Sequence, residues 1–428
     1  MSSTDAKSIV SVTLELIPTP KAQSAGNLAI SVRRRAASVI CGMSPLETHF
    51  RVPDPQTADP WIEVIADAIV NNVRELSRYT GLRLLAVVKN NANGIGIREV
   101  GPILDRMSEV FGLAVVRVDE ALALRQSGVS KPILMMAHAA AEEAELLVRL
   151  GVRLTPFHSD SEKWLSILAD SYGAPIPVHP FVDTGMNRIG MPYDRAAAWL
   201  VDLAACGAVA IEGTYTMFSG AEREGESFDI EQLRRFNKVI ADCRRLGVDV
   251  GLLHGAPSYQ VVHLPEAREL DLIRPGGAIY GMPSYQRGPS GESIMDLKPV
   301  FRLRARIVRV ERLAAGEGVS FHHRYRAEAP TWVATVPIGH TDGYPRGAAS
   351  RASALVGDRL YPVVAEVSSN HTILEIGSEK TVEVGDIATL AGPDRDEITP
   401  QEIALKSGLD RDYWLATKLN PLIHRITV

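Results

Sequence analysis

Residues 82–96 read LRLLAVVKNNANGIG, an apolar run of strand length that closes on a lysine, Lys89, where the chain leaves the core. Further short apolar runs follow: FGLAVV (111–116), PILMMA (132–137), VRLTPF (152–157), PIPVHPFV (175–182), AIEGTYTMF (210–218), GLLHGA (251–256) and LDLIRPG (270–276). Between them stand segments such as VDEALALRQSG and IEQLRRFNKVIADCRRLG. Their apolar residues fall three and four apart and a glycine closes each, the pattern of amphipathic helices. Strands too uniformly apolar to alternate, each followed by a helix, imply a parallel sheet covered on both faces. Eight such units close a (β/α)8 TIM-like barrel, the expected fold class of this part; an open doubly wound sheet is the alternative.

Beyond Gly281 the texture changes. FRLRARIVRVERL (301–313) alternates apolar and charged residues, the period of a half-buried antiparallel strand. WVATVPIG, LYPVVAEVSS, TILEIG and DIATLAG follow, with turn residues between them. The chain thus reads as an N-terminal extension (1–55), a barrel (56–295) and a C-terminal antiparallel β domain (296–428). The last two join at SYQRGPSGESIMD (284–296).

The 428 residues carry a net charge of −5 with no basic stripe, so nucleic acid is not an expected partner. Three cysteines, Cys41, Cys206 and Cys243, are too few and too scattered for a disulfide framework or a zinc site, and fit a reducing compartment. No apolar run reaches the roughly 18 residues a membrane span needs. The stretch SVRRRAASVICGM (31–43) sets basic residues before apolar ones, but its apolar part is short and no cleavage pattern follows. The expected location is the cytoplasm.

In a barrel, the C-terminal strand ends face the active site. Lys89 ends the first strand, where its amine can form a Schiff base if its surroundings lower its pKa; the plainer reading is a lysine that reaches out to solvent. The fifth strand ends in VDTGMNRIG, which sets Asp183 and Arg188 at the rim. The seventh ends in His254, followed by GAPS with Ser258, and the eighth in Arg274, followed by PGG. Gly276 and Gly277 let backbone N–H groups approach a phosphate closely, and Ser258 adds a hydroxyl at a helix start. An amine facing a phosphate cradle points to pyridoxal 5′-phosphate.

With those residues in view, the chain resembles the alanine racemase family of pyridoxal-phosphate enzymes from about Trp61 to its end. The likeness is carried by AVVKNNANGIG, VDTGMNRIGM, IEGTYTMFSGAE, LLHGAPS, IRPGGAIYGMP, LKPVFRLRARIVRVERLAAGEGVSF and ATVPIGHTDGYPR. The resemblance implies that Lys89 is the Schiff-base lysine and that Arg274 bonds the pyridine nitrogen. It further implies that Ser258, Gly276 and Gly277 hold the phosphate, that His254 lies near the cofactor and that Arg188 sits beside the substrate. It implies a homodimer in which the β domain of one subunit completes the site of the other. A guanidinium accepts no proton, so the ring nitrogen beside it stays unprotonated and the ring is a weaker electron sink.

The departures concentrate on the substrate side. Racemisation removes a proton from one face of Cα and returns it on the other. The family supplies the second face from the tyrosine of a GEGVSY segment; here GEGVSFHH places Phe321 there, without an exchangeable proton. Asn93 replaces a phosphate-binding tyrosine, Phe181 a carbamylated lysine, Met217 the histidine of a THFA-like segment, and His340 the tyrosine of PIGYADG. Ser368, Ser369 and Asn370, then His371, stand where relatives carry Cys-Met-Asp. His340 and His322 are therefore candidates for the second proton carrier, with His323 beside them, and Asn370 for the substrate carboxylate; ordinary polar loop roles are the alternative. The expectation is a racemase or epimerase of altered specificity acting on an amino acid. Two alternatives stay open: a one-base enzyme for transamination, elimination or aldol-type cleavage, and a binding protein without turnover.

Overall fold

The computed structural model describes residues 59–428, apart from 221, 224–225, 289–290, 293 and 410–414. The N-terminal extension and the basic stretch at 31–43 lie outside the described residues. Seven parallel strands form one continuous sheet in the order Gly213–Tyr215, Leu252–Gly255, Leu272–Ile273, Arg83–Val87, Val110–Val115, Ile133–Met135 and Val152–Arg153. Ile176–Val178 closes the ring. It pairs in parallel with Val209–Ile211, a bridge at Leu154–Val178 joins it to the other side, and a second bridge, Phe181–Tyr215, fastens the residues that follow it.

The even apolarity of these strands has a direct cause. Leu85, Ala114, Leu134, Met136, Phe157, Phe181, Tyr215 and Leu272 fill the barrel interior as one packed cluster. The alternate positions Leu84, Ala86, Leu113, Val115, Ile133 and Met135 point into a second core shared with the helices. Both faces are buried, so most positions on either face are apolar. Helix Ala66–Thr80 shows how a helix is fitted to this layer: Ile69, Val73 and Leu76 recur on its buried face, and Gly81 ends it in the left-handed conformation. Among the described residues, no helix is long and apolar enough to cross a membrane.

The second sheet has nine strands, in the order Arg309–Leu313, Thr331–Val336, Thr372–Gly377, Arg359–Val364, Ser353–Val356, Ile387–Ala391, Phe301–Arg306, Trp61–Val64 and His424–Thr427. It is antiparallel except for its last pair. Two features depart from the sequence reading. The alternating run 301–313 divides into two strands, and these pair with different neighbours. Trp61–Val64, grouped by sequence with the barrel, hydrogen-bonds instead to Phe301–Arg306 and His424–Thr427. Buried Glu63 fixes this placement, receiving Arg304 at 2.7 Å and Arg302 at 3.4 Å.

Candidate active site

Lys89 stands at the C-terminal end of the first barrel strand, half-buried. The residues after it form one turn of left-handed helix. Asn90, Asn91, Ala92 and Asn93 all have φ between 53° and 58°. The backbone bonds Ala92 N–H to Val88 O (2.8 Å) and Gly94 N–H to Asn90 O (2.9 Å) close the turn. L-residues resist this hand, and asparagine resists it least, which accounts for three asparagines in four positions.

Outside contacts hold the turn in place. The buried carboxylate of Glu120 accepts the N–H of Asn90 at 2.5 Å and of Asn91 at 3.3 Å through one oxygen, and that of Val116 at 3.1 Å through the other. Arg425, from the last strand, donates to the carbonyls of Gly94 and Ile95 at 2.9 and 3.0 Å. A cavity of about 710 Å³ lies beside the turn, lined by Asn90, Asn91, Glu120, His424 and Arg425 among others. None of Arg188, His254, Ser258 or Arg274 lines it, so it is distinct from the barrel mouth.

Burial depresses the pKa of the Lys89 amine; Arg188 and Arg274 push the same way, and Glu120 opposes them. These charges therefore act on one amine although strands one, five and eight and a helix supply them. Arg188 is exposed on a loop whose shape Asp183 sets, one carboxylate oxygen accepting the N–H groups of Gly185, Met186 and Asn187 at 2.9, 2.9 and 3.1 Å.

Arg274 is only 1 % exposed. Its Nη2 donates to Thr216 O at 2.5 Å and its Nε to Gly255 O at 3.3 Å, and the guanidinium lies 4.5 Å over the Tyr215 ring. Nη1 is buried without a partner. Burial lowers its pKa to about 10, which leaves it charged at neutral pH. Tyr215 stacks on His254 at 4.9 Å and on Phe181 at 4.6 Å, so the phenyl ring at position 181 belongs to an aromatic column inside the barrel. His254 Nε2 lies 2.8 Å from His179 Nδ1, and His254 Nδ1 has no partner. Burial drives both imidazoles neutral, His179 to about 3 and His254 well below the ordinary value.

Ser258 is buried at the start of helix Ser258–His263, and its hydroxyl oxygen gathers the N–H groups of Gly276 (3.0 Å) and Ala278 (3.1 Å). A Cβ on Gly277 would fall 2.4 Å from Met282 Sδ, so close packing as well as ligand approach calls for glycine there. Together these features match what pyridoxal phosphate demands of a protein: a desolvated amine, a buried N–H donor still without an acceptor, and a buried serine hydroxyl beside a pair of glycines.

The β-domain candidates lie on other elements. Phe321 is 63 % exposed, and His322 and His323 are exposed with φ of 60° and 44°. His340 is half-buried, its N–H bonded to Ser368 O at 2.9 Å. Asn370 donates to the hydroxyl of Thr341 at 3.0 Å, which brings the two divergent segments 339–342 and 368–371 together. Among the described residues, no hydrogen bond or ion pair joins any of these to Lys89 within the chain. Glu120 and Arg425 are contributors that sequence reasoning missed; both carry ordinary-looking charges on amphipathic segments, without any local sign that their partners are backbone groups.

Residues 64–284 match the alanine racemase N-terminal domain and 300–427 the alanine racemase C-terminal domain. The chain is 32% identical over 345 residues to the alanine racemase of Desulfovibrio desulfuricans, covering 79% of this chain and 91% of that one. It is 31% identical over 347 residues to that of Desulforamulus reducens, covering 80% and 92%. Among solved structures, alanine racemase of Clostridium difficile 630 superposes with a TM-score of 0.76 at 25% identity, over 87% of this chain and 96% of the other. Alanine racemase from D-cycloserine-producing Streptomyces lavendulae gives 0.75 at 27% identity, over 86% and 97%. With both domains matched in order, the chain belongs to the alanine racemase family, whose enzymes use pyridoxal 5′-phosphate.

Proposed function

We propose that the protein exchanges the Cα proton of an amino acid, as a racemase or epimerase whose specificity differs from that of its relatives. The observation that carries this is Lys89, half-buried at the end of a barrel strand, together with Arg274, buried with Nη1 unpartnered; burial, with Arg188 and Arg274, depresses the pKa of the Lys89 amine. Pyridoxal phosphate, when bound, makes the Cα proton of an attached amino acid acidic. Lys89 would hold the cofactor, and Lys89 Nζ, kept unprotonated more readily by burial, would take and return the proton on one face. Arg274 would meet the ring nitrogen with Nη1 and give it no proton. Ser258, Gly276 and Gly277 would hold the phosphate, and Arg188 and Asn370 the substrate carboxylate. His340 or His322, brought by the second subunit of a homodimer, would serve the other face in place of Phe321.

The test is proton exchange in deuterium oxide with a panel of amino acids, read by mass and by chirality. Deuterium at Cα with inversion is the expected result, abolished in Lys89→Ala and slowed at least about tenfold in His340→Ala if that imidazole is the second base. A second reading rests on Phe321 itself: with no proton carrier on the far face, the enzyme works with one base. Deuterium entering with retention, together with keto acid, ammonia or aldehyde, would establish that reading and sink the first.

A further inference from the structure

The left-handed turn after Lys89 is costly. L-residues other than glycine resist this hand, asparagine least, and such a conformation lasts only where its surroundings over-determine it. Its first N–H groups, those of Asn90 and Asn91, are the orphan donors of a helix start, of the opposite hand to usual. A helix start ordinarily carries its own capping side chain. Here the residue before the turn is a lysine, which has no acceptor. The acceptor arrives from another element: Glu120, 6 % exposed in helix Val118–Gln126, takes both N–H groups on one oxygen and Val116 N–H on the other. One carboxylate thereby ties the end of the first barrel strand to the end of the second.

We infer that Glu120 is a positioning residue for Lys89, capping the left-handed turn from a neighbouring helix and so fixing where the amine is presented. It has no place in the proton transfer. This rests on the reading of Lys89 as the cofactor lysine, and the test separates the two.

The experiment compares wild type, Glu120→Ala and Glu120→Gln as purified holoenzymes. Borohydride fixes pyridoxal phosphate to its lysine, peptide mapping measures the share on Lys89, and amide hydrogen exchange follows residues 88–97. Loss of a buried charged acceptor predicts about a tenfold fall in Lys89-fixed cofactor for Glu120→Ala. Faster exchange should be confined to the turn and the Val116 amide. Glu120→Gln, whose amide oxygen still accepts from Asn90 and Asn91, should restore most of the Lys89 share and the slow exchange. Turnover in Glu120→Ala should fall in kcat with KM held within about twofold, the signature of a misplaced amine.

The inference is overturned if Glu120→Ala keeps its Lys89 share and turn protection within about twofold of wild type. It is equally overturned if exchange rises evenly across the barrel, the mark of a merely structural role. Should Glu120→Ala not fold, Glu120→Gln decides: its amide NH2 meets the Val116 N–H as donor against donor, so exchange must rise at Val116 while Asn90 and Asn91 stay protected, and unchanged exchange at Val116 overturns the inference. Should wild type carry no cofactor on Lys89, the reading of the lysine fails, while exchange at Asn90 and Asn91 still decides the cap.

Discussion

His179 and His254 share one hydrogen bond in a buried space where desolvation, with Arg274 nearby, disfavours a charge on either ring. Burial holds both folded pKa values below 6.5, His179 at about 3. Unfolded, each imidazole binds a proton near its ordinary value, so between the two limits the unfolded chain holds more protons than the fold. Stability is therefore complete above about pH 6.5 and drains as the pH falls towards 3. Each imidazole contributes a slope of up to about 1.4 kcal/mol per pH unit in that window. Urea-unfolding midpoints taken between pH 4 and 7 should fall with acid, and His179→Gln should halve the slope. An unchanged slope in that variant would place the acid sensitivity elsewhere. The sequence made His254 legible, because it ends a strand beside a phosphate-binding signature. His179 was visible only as a neighbour of Phe181; that its ring meets His254 follows from the closure of strands five and six.

At the scale of the element, the turn after Lys89 joins two parts of the chain. Gly94 sits at φ 88°, and a Cβ there would come 1.9 Å from Ala416 O. Gly94→Ala should thus lose about 1–2 kcal/mol to backbone strain alone, with the collision added. Its unfolding midpoint should drop and its Lys89-bound cofactor should fall together, whereas a loss of stability with full cofactor binding would uncouple the turn from the lysine. The text KNNANG announces an unusual backbone to a reader who knows which residues accept a positive φ. The partners of that backbone were illegible. Glu120 stands in VDEALALRQSG where an acid on a solvent-facing helix turn looks just the same, and Arg425 is 331 residues from Gly94.

For the whole molecule, the eight apolar runs were readable because burial on both faces makes most of their positions apolar. The second sheet was readable where its strands alternate. Trp61–Val64 was not: four residues, WIEV, carry no period long enough to show, and their neighbours in the sheet lie 237 or more residues away. Among the described residues, no hydrogen bond or ion pair joins Lys89 to Phe321, His322, His340 or Asn370, which is in keeping with the proposed homodimer. Mixing Lys89→Ala with His340→Ala subunits tests it. A shared site predicts that the mixed population regains up to about a quarter of wild-type exchange, the share of wild-type-like sites formed by random pairing of two equal pools. Recovery absent from a mixture shown to have exchanged subunits would confine each site to one chain.

The lodging of Trp61–Val64 between Phe301–Arg306 and His424–Thr427 has a consequence for biosynthesis. A ribosome delivers this strand first and its hydrogen-bonding neighbours much later. At 5–20 residues per second, Phe301 follows Val64 by roughly 10–50 s. During that interval the nascent barrel carries a short apolar ribbon with both edges bare, the kind of segment chaperones cover and that misassociates when they do not. Final closure of the second sheet, and with it the Arg425 brace on the lysine turn, waits until His424–Thr427 has been made and is free to pair.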